Sequence, residues 1–170
     1  MKKFELTSEF VTFLGKTLFR IKALVSFGDV AEGELGGFIE RENNLDQSGD
    51  AWVYGDAQVY GDAQVYGNAQ VSGDARVYGD AHVYGNAWVY GDAWVQNCRD
   101  YSATSCFGSE NRTTTFFRTK DGGISVRCGC FYGTLREFRE KVKERHGDSR
   151  LAKEYLMLAD LMEFRLSKDE

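Results

Sequence analysis

Between residues 53 and 95 the apolar positions recur every six residues. Val53, Val59, Val65, Val71, Val77, Val83, Val89 and Val95 mark the register, and Ala57, Ala63, Ala69, Ala75, Ala81, Ala87 and Ala93 follow four places after each valine but the last. A spacing of six fits neither the 3.6-residue turn of a helix nor a heptad, but it fits a short strand followed by a turn. The alanine of one unit and the valine of the next stand two apart, so on an extended segment both face one side and the residue between them faces the other. Glycine follows each of these valines up to Val89 by two places, and Asp or Asn by three. Glycine accepts positive φ and Asp or Asn accepts tight turns, so each unit predicts its own corner. Three units then close a triangular coil of about 18 residues, with Val and Ala inside.

Hexads read outward from this array extend it from Leu35 to Cys106. They place Leu35 inward, Ile39 and Leu45 in the small-residue slot, and "QSGDAW", "VQNCRD" and "YSATSC" as degraded units. That register predicts about four coils. Two outward columns matter. Tyr54, Tyr60, Tyr66, Tyr78, Tyr84 and Tyr90, interrupted by Ser72, should stack from coil to coil. The sixth position runs Trp52, Gln58, Gln64, Gln70, Arg76, His82, Trp88, Trp94, which puts every tryptophan at the one slot the repeat leaves free. Trp and Arg are enriched at binding hot spots, so Trp52, Arg76, His82, Trp88 and Trp94 are the candidate binding residues, with packing against terminal segments or a sister subunit as the ordinary alternative. The corner carboxylates, such as Asp56, Asp74 and Asp92, are expected to cap corner amides; the calcium-binding β-roll period is nine, not six.

The flanks change character. Residues 1–34 read as an N-terminal β cap, with a hairpin about Gly15-Lys16 and a turn-rich "FGDVAEGELGG"; residues 35–111 as the repeat; and residues 112–170 as a ββαα appendage. In the appendage Asp121-Gly122 turns a hairpin. Thr134 and Glu137 form a capping box for a helix with Leu135, Phe138 and Val142 on one face, stopping at Gly147, and a second helix runs from Arg150 to Leu166 with Leu151, Tyr155, Leu158 and Met162 inward. Open β-helix ends are adhesive edges, so both flanks are expected to act as caps.

The Val-x-x-x-Ala-x unit resembles the hexapeptide signature of left-handed β-helices. "LFRIKAL", "FGDV", "GELGGFIE", the "AWVYGDA" array, "CGCFYGTLREFREKVKERHGD" and "EYLML" together resemble a group of proteins that recurs in bacteriophages and prophages, over nearly the whole chain. The fold class implied is mainly β: a left-handed parallel β-helix with an N-terminal β-hairpin cap and a C-terminal ββαα appendage. The resemblance also implies a phage setting in the host cytoplasm and a host protein as partner, with inhibition of an antiviral defence system as the suggested role. It supplies no catalytic residue.

Composition narrows the chemistry. The 170 residues carry a net charge of -5, a mild acidity that argues against duplex nucleic acid, whose binders normally show a clustered basic face, and leaves a basic partner open. Glu5, Thr7, Ser8 and Glu9 interrupt the first apolar run, so neither an export signal nor a membrane span is expected, and Cys98, Cys106, Cys128 and Cys130 are read as reduced thiols of a cytoplasmic protein. Hexapeptide β-helices include trimeric acyltransferases that use a histidine base and an acyl-CoA donor. His82, between Arg76 and Trp88, is the catalytic candidate in that alternative. A third reading, sequestration of a small nucleotide signal between subunits, rests on Arg76, Arg99 and Arg112. Cys128, Cys130 and His146, with Cys98 and Cys106, are weak zinc candidates because C-x-C lacks the usual ligand spacing. No cofactor is expected, and self-association as a dimer or trimer is.

Overall fold

The computed structural model describes residues 1–167. The N-terminal strands β1 (Phe4–Phe13) and β2 (Lys16–Ala23) form an antiparallel hairpin, and β2 pairs with β3 (Leu35–Ile39). Eight two-residue strands follow, each an outward residue and its valine: β4 (Trp52–Val53), β5 (Gln58–Val59), β6 (Gln64–Val65), β7 (Gln70–Val71), β8 (Arg76–Val77), β9 (His82–Val83), β10 (Trp88–Val89) and β11 (Trp94–Val95). They pair in parallel as three faces: β3-β5-β8-β11, β4-β7-β10 and β6-β9, with Leu45 bridging to Val65 below β6. This is a parallel β-helix of about three turns, closed by β11 as one further rung.

The interior is as the hexads predict. Every repeat valine and alanine from Ala51 to Val95 is at most 1% exposed, and full burial of each valine contributes roughly 1.5–3 kcal/mol relative to exposure. The corners depend on glycine for two reasons, as Gly73 illustrates. Its φ is +74°, and a Cβ there would stand 2.9 Å from the amide nitrogen of Gly91 in the next coil. The corner carboxylates contribute less than expected. Among the described residues Asp56, Asp74 and Asp80 cap no corner amide, and the turns are held by coil-to-coil backbone bonds such as Asp62 N to Gly79 O at 2.8 Å.

Hexad counting fails at both ends. Ile39 pairs with Val59, a step of 20 residues, whereas Val59 pairs with Val77 at a step of 18. Ile39 and Leu45 therefore fill the valine column, Gly37 takes the alanine slot, and Leu35 is exposed rather than inward. The extra residues lie in the corner from Asp46 to Asp50. That wide corner is held by Lys3, whose ammonium donates to the carbonyls of Ser48 (3.3 Å), Gly49 (3.3 Å) and Ala51 (2.9 Å). At the other end the chain leaves the helix after Val95 because the Gly-Asp corner is missing. Asp100 instead accepts from the amides of Gln96 (2.9 Å) and Asn97 (3.1 Å), turning the chain into a long strand. The "YSATSC" segment is thus part of β12 (Tyr101–Phe107), not a coil, which leaves about three turns where four are expected.

β12 joins β13 (Arg112–Arg118), β14 (Ile124–Cys128) and β15 (Phe131–Thr134) in an antiparallel sheet of four strands rather than a lone hairpin. Helices α1 (Leu135–His146) and α2 (Arg150–Leu166) pack on it, and α1 opens with the Thr134/Glu137 capping box. Strand alternation makes β13 the joint between two cores. Phe117 points into the β-helix core, and its neighbour Phe116 points into the core built on Phe138, Tyr155 and Met162. At the opposite end Phe4, Ile21, Ala23 and Val30 close the first coil, so each flank buries one adhesive edge.

Candidate functional site

The three faces of the prism are treated differently by the rest of the chain. On β3-β5-β8-β11 the outward residues include Arg76 and Trp94, whose guanidinium and ring are 5.4 Å apart. Phe13 from the hairpin tip lies 3.8 Å beneath the Arg76 guanidinium, and Lys120 approaches Trp94 at 5.9 Å. On β4-β7-β10 Trp52 is fully buried, held edge-on by Phe4 (6.1 Å) and Phe27 (5.4 Å). Its expected exposure is therefore wrong: the N-terminal segment uses this ring as its own anchor, and no acceptor meets its Nε1. Trp88 lies under the Arg127 guanidinium at 4.1 Å, and its Nε1 donates to Ser72 Oγ at 3.2 Å. The one gap in the tyrosine column thus receives a tryptophan from the next coil. Elsewhere that column stacks as expected, with Tyr60–Tyr78 and Tyr66–Tyr84 both at 5.3 Å and nearly parallel.

The third face, β6-β9, has no strand or helix of either flank laid over it among the described residues. It carries an open groove of about 580 Å³ lined by Glu42, Asp46, Gln47, Gln64, Tyr66 and His82, among others. The enlarged Asp46–Asp50 corner shapes its lower end. The Tyr66 ring meets His82 edge-on at 6.2 Å, and the Tyr101 hydroxyl donates to the His82 carbonyl at 2.6 Å, fixing the upper strand. Hydrogen bonds from the Ser48 hydroxyl (2.7 Å) and amide (3.1 Å) hold the Asp46 carboxyl below its ordinary range despite some burial. Asp62 and Asp80 stand on one bordering corner, Asp62 paired with Arg41 at 2.8 Å. Asn68 and Asn86 stand on the other, joined at 3.2 Å. Glu42 is paired with Lys2 at 2.7 Å and Gln47 accepts from the Lys3 amide at 2.7 Å, so the face is polar, with Asp46 and Asp80 as its carboxylates without an ion pair among the described residues.

The five binding candidates therefore do not converge. Arg76 and Trp94 share one covered face, Trp52 and Trp88 another, and His82 alone reaches the open groove. Among the described residues the His82 ring makes no hydrogen bond and no carboxylate orients it. Glu42, Asp46 and Gln47 were not legible as site residues, because the insertion that brings them there has no repeat signature. Among the described residues Arg76, packed on Phe13 and Trp94, and Arg112, on a cleft of the C-terminal unit, belong to different surfaces. Cys128, Cys130 and His146 do border one cleft of the C-terminal unit. Among the described residues no group of three or more His, Cys, Asp or Glu side chains is arranged to hold a metal ion, and no helix is long and apolar enough to cross a membrane.

Parallel coils stacked on Val-Ala rungs and turned by glycine define a β-solenoid repeat protein. Consistently, a family model described as the YdcK beta solenoid repeat matches residues 69–85, a little less than one coil. No curated protein matches the chain.

Proposed function

We propose that the chain is a non-enzymatic binding module of phage type that engages a host protein through the open β6-β9 face. The observation that supports this most is the unequal cover of the prism: two faces hold the chain's own flanks, and the third presents a polar groove. Asp46 and Asp80 on or beside that face, which make no ion pair among the described residues, favour a basic segment of the partner, by charge complementarity rather than apolar burial. The resemblance to phage and prophage proteins supports a host factor as that partner, with inhibition of an antiviral defence system as the role, in the host cytoplasm. Self-association as a dimer or trimer belongs to the same reading. The exposed row Met157, Leu161 and Phe164 on α2, with Asp160 and Arg165 of opposite sign beside it, is the apolar surface it would cover.

The acyltransferase alternative has one observation in its favour, the place of His82 in the groove. A general base needs an oriented ring, and among the described residues no hydrogen bond or carboxylate orients this one. Native mass spectrometry of the protein purified from its host separates the readings. A host polypeptide bound at fixed stoichiometry supports the binding module. Acetyl-CoA bound by the wild type and lost in His82→Ala would overturn it, as would a chain that recovers no partner.

A further inference from the structure

The C-terminal unit contains a second, smaller cleft of about 100 Å³, where the β14–β15 turn, the loop after β12 and the inner side of α1 meet. Its floor is apolar and aromatic. Phe131 and Phe138 stand 5.6 Å apart, Phe138 meets Tyr155 edge-on at 5.8 Å, and His146 stacks on Tyr155 at 5.7 Å. Its rim is cationic, with Arg112, Lys141 and Arg145 against the single carboxylate of Glu110. Glu110 approaches Arg112 only at 3.7 Å, Lys141 is tied to Glu144 at 2.8 Å, and Arg145 makes no ion pair among the described residues. In a chain of net charge -5 this is a local excess of positive charge around an aromatic slot.

We propose that this cleft binds a small aromatic anion: a single ring that enters the slot, bearing a carboxylate or phosphate that reaches Arg112 and Arg145. At about 100 Å³ the slot is smaller than the cavity of about 150 Å³ that encloses benzene, but it is open on one side, so a single ring can enter with one edge left outside. A planar guanidinium pairs two-pronged with either anion, which a neutral rim would not do. The ring and the charge are both required, because the floor is mainly apolar and aromatic and the rim sets three cations against one carboxylate.

Cys130, exposed on the rim, provides the readout, and Cys98, exposed and outside this cleft, the internal control. Alkylation rates at both thiols are followed by mass spectrometry in the presence of benzoate, phenyl phosphate, benzyl alcohol or inorganic phosphate. Benzoate or phenyl phosphate is expected to protect Cys130 and not Cys98, and the tighter of the two identifies the preferred anion. Benzyl alcohol and inorganic phosphate should need at least about tenfold higher concentration. The double variant Arg112→Gln, Arg145→Gln changes only exposed side chains, keeps its thermal midpoint, and loses about tenfold or more in affinity. Equal protection of both cysteines, equal effect of the neutral alcohol, unchanged affinity in the double variant, or no protection by either acid up to about 10 mM would each overturn the proposal.

Discussion

Lys3 shows how one side chain sets a local structure. Burial pushes its ammonium down to about 8, against the pull of Asp46 and Asp50, while its three carbonyl acceptors hold the widened corner. The unfolded lysine keeps its proton to about 10.4. Between these values the unfolded chain binds more protons, so this group makes stability rise with pH from about 8 to about 10.4. An NMR titration of the Lys3 ammonium should show the lowered midpoint; an ordinary lysine midpoint would mean that the corner is solvated. Trp52 makes a second residue-scale case. Trp52→Ala should cost about 3–5 kcal/mol in denaturant unfolding, while Trp52→Phe should cost clearly less, since it keeps the packing on Phe4 and Phe27 and removes an N–H without an acceptor. Equal losses would contradict that packing. Trp52 also marks what the sequence conceals. The period of six assigns it to an outward slot correctly, but outward from a coil is not exposed once Phe4 and Phe27, distant in the chain, come to rest on it.

At the scale of elements, legibility follows the range of the forces that fix each one. The short strands, the Gly15 hairpin and both helices are dictated by residues within a few positions, and all stand where the pattern predicts. The Ile39 and Leu45 register was not readable, because a lengthened corner changes the phase without changing residue types, and only pairing with Val59 and Val65 reveals it. The exit of β12 has the same character: "YSATSC" resembles a poor hexad until β13 offers it an antiparallel partner. Gly73→Ala tests the corner directly. It combines a strained φ with a close approach to Gly91, and should lower stability by at least about 1 kcal/mol in thermal or denaturant melts. A neutral result would mean that the coils part more easily than their backbone bonds imply. On α2, Leu161→Glu should leave the melting temperature nearly unchanged, because the side chain is exposed, and should convert any dimer or trimer to monomer in light scattering. An assembly that survives this change is built elsewhere.

For the whole molecule, the repeat builds a rigid prism, the flanks cover its ends and two of its faces, and β6-β9 is left open. The candidate residues read from the sixth slot are divided by this cover: Trp52, Arg76, Trp88 and Trp94 hold the flanks, and His82 remains with Gln64 beside the polar groove. Binding through that face should weaken as salt is raised, because its carboxylates lie at or near the surface. The most direct measurement is quantitative capture from host extract by three proteins: the wild type, a double variant Gln64→Arg, Asp80→Arg on the open face, and a control Glu140→Ala on α1. The binding-module account predicts one host polypeptide at fixed stoichiometry with the wild type and the control, lost from the double variant. Equal capture by all three, or no stoichiometric polypeptide with any of them, would contradict it.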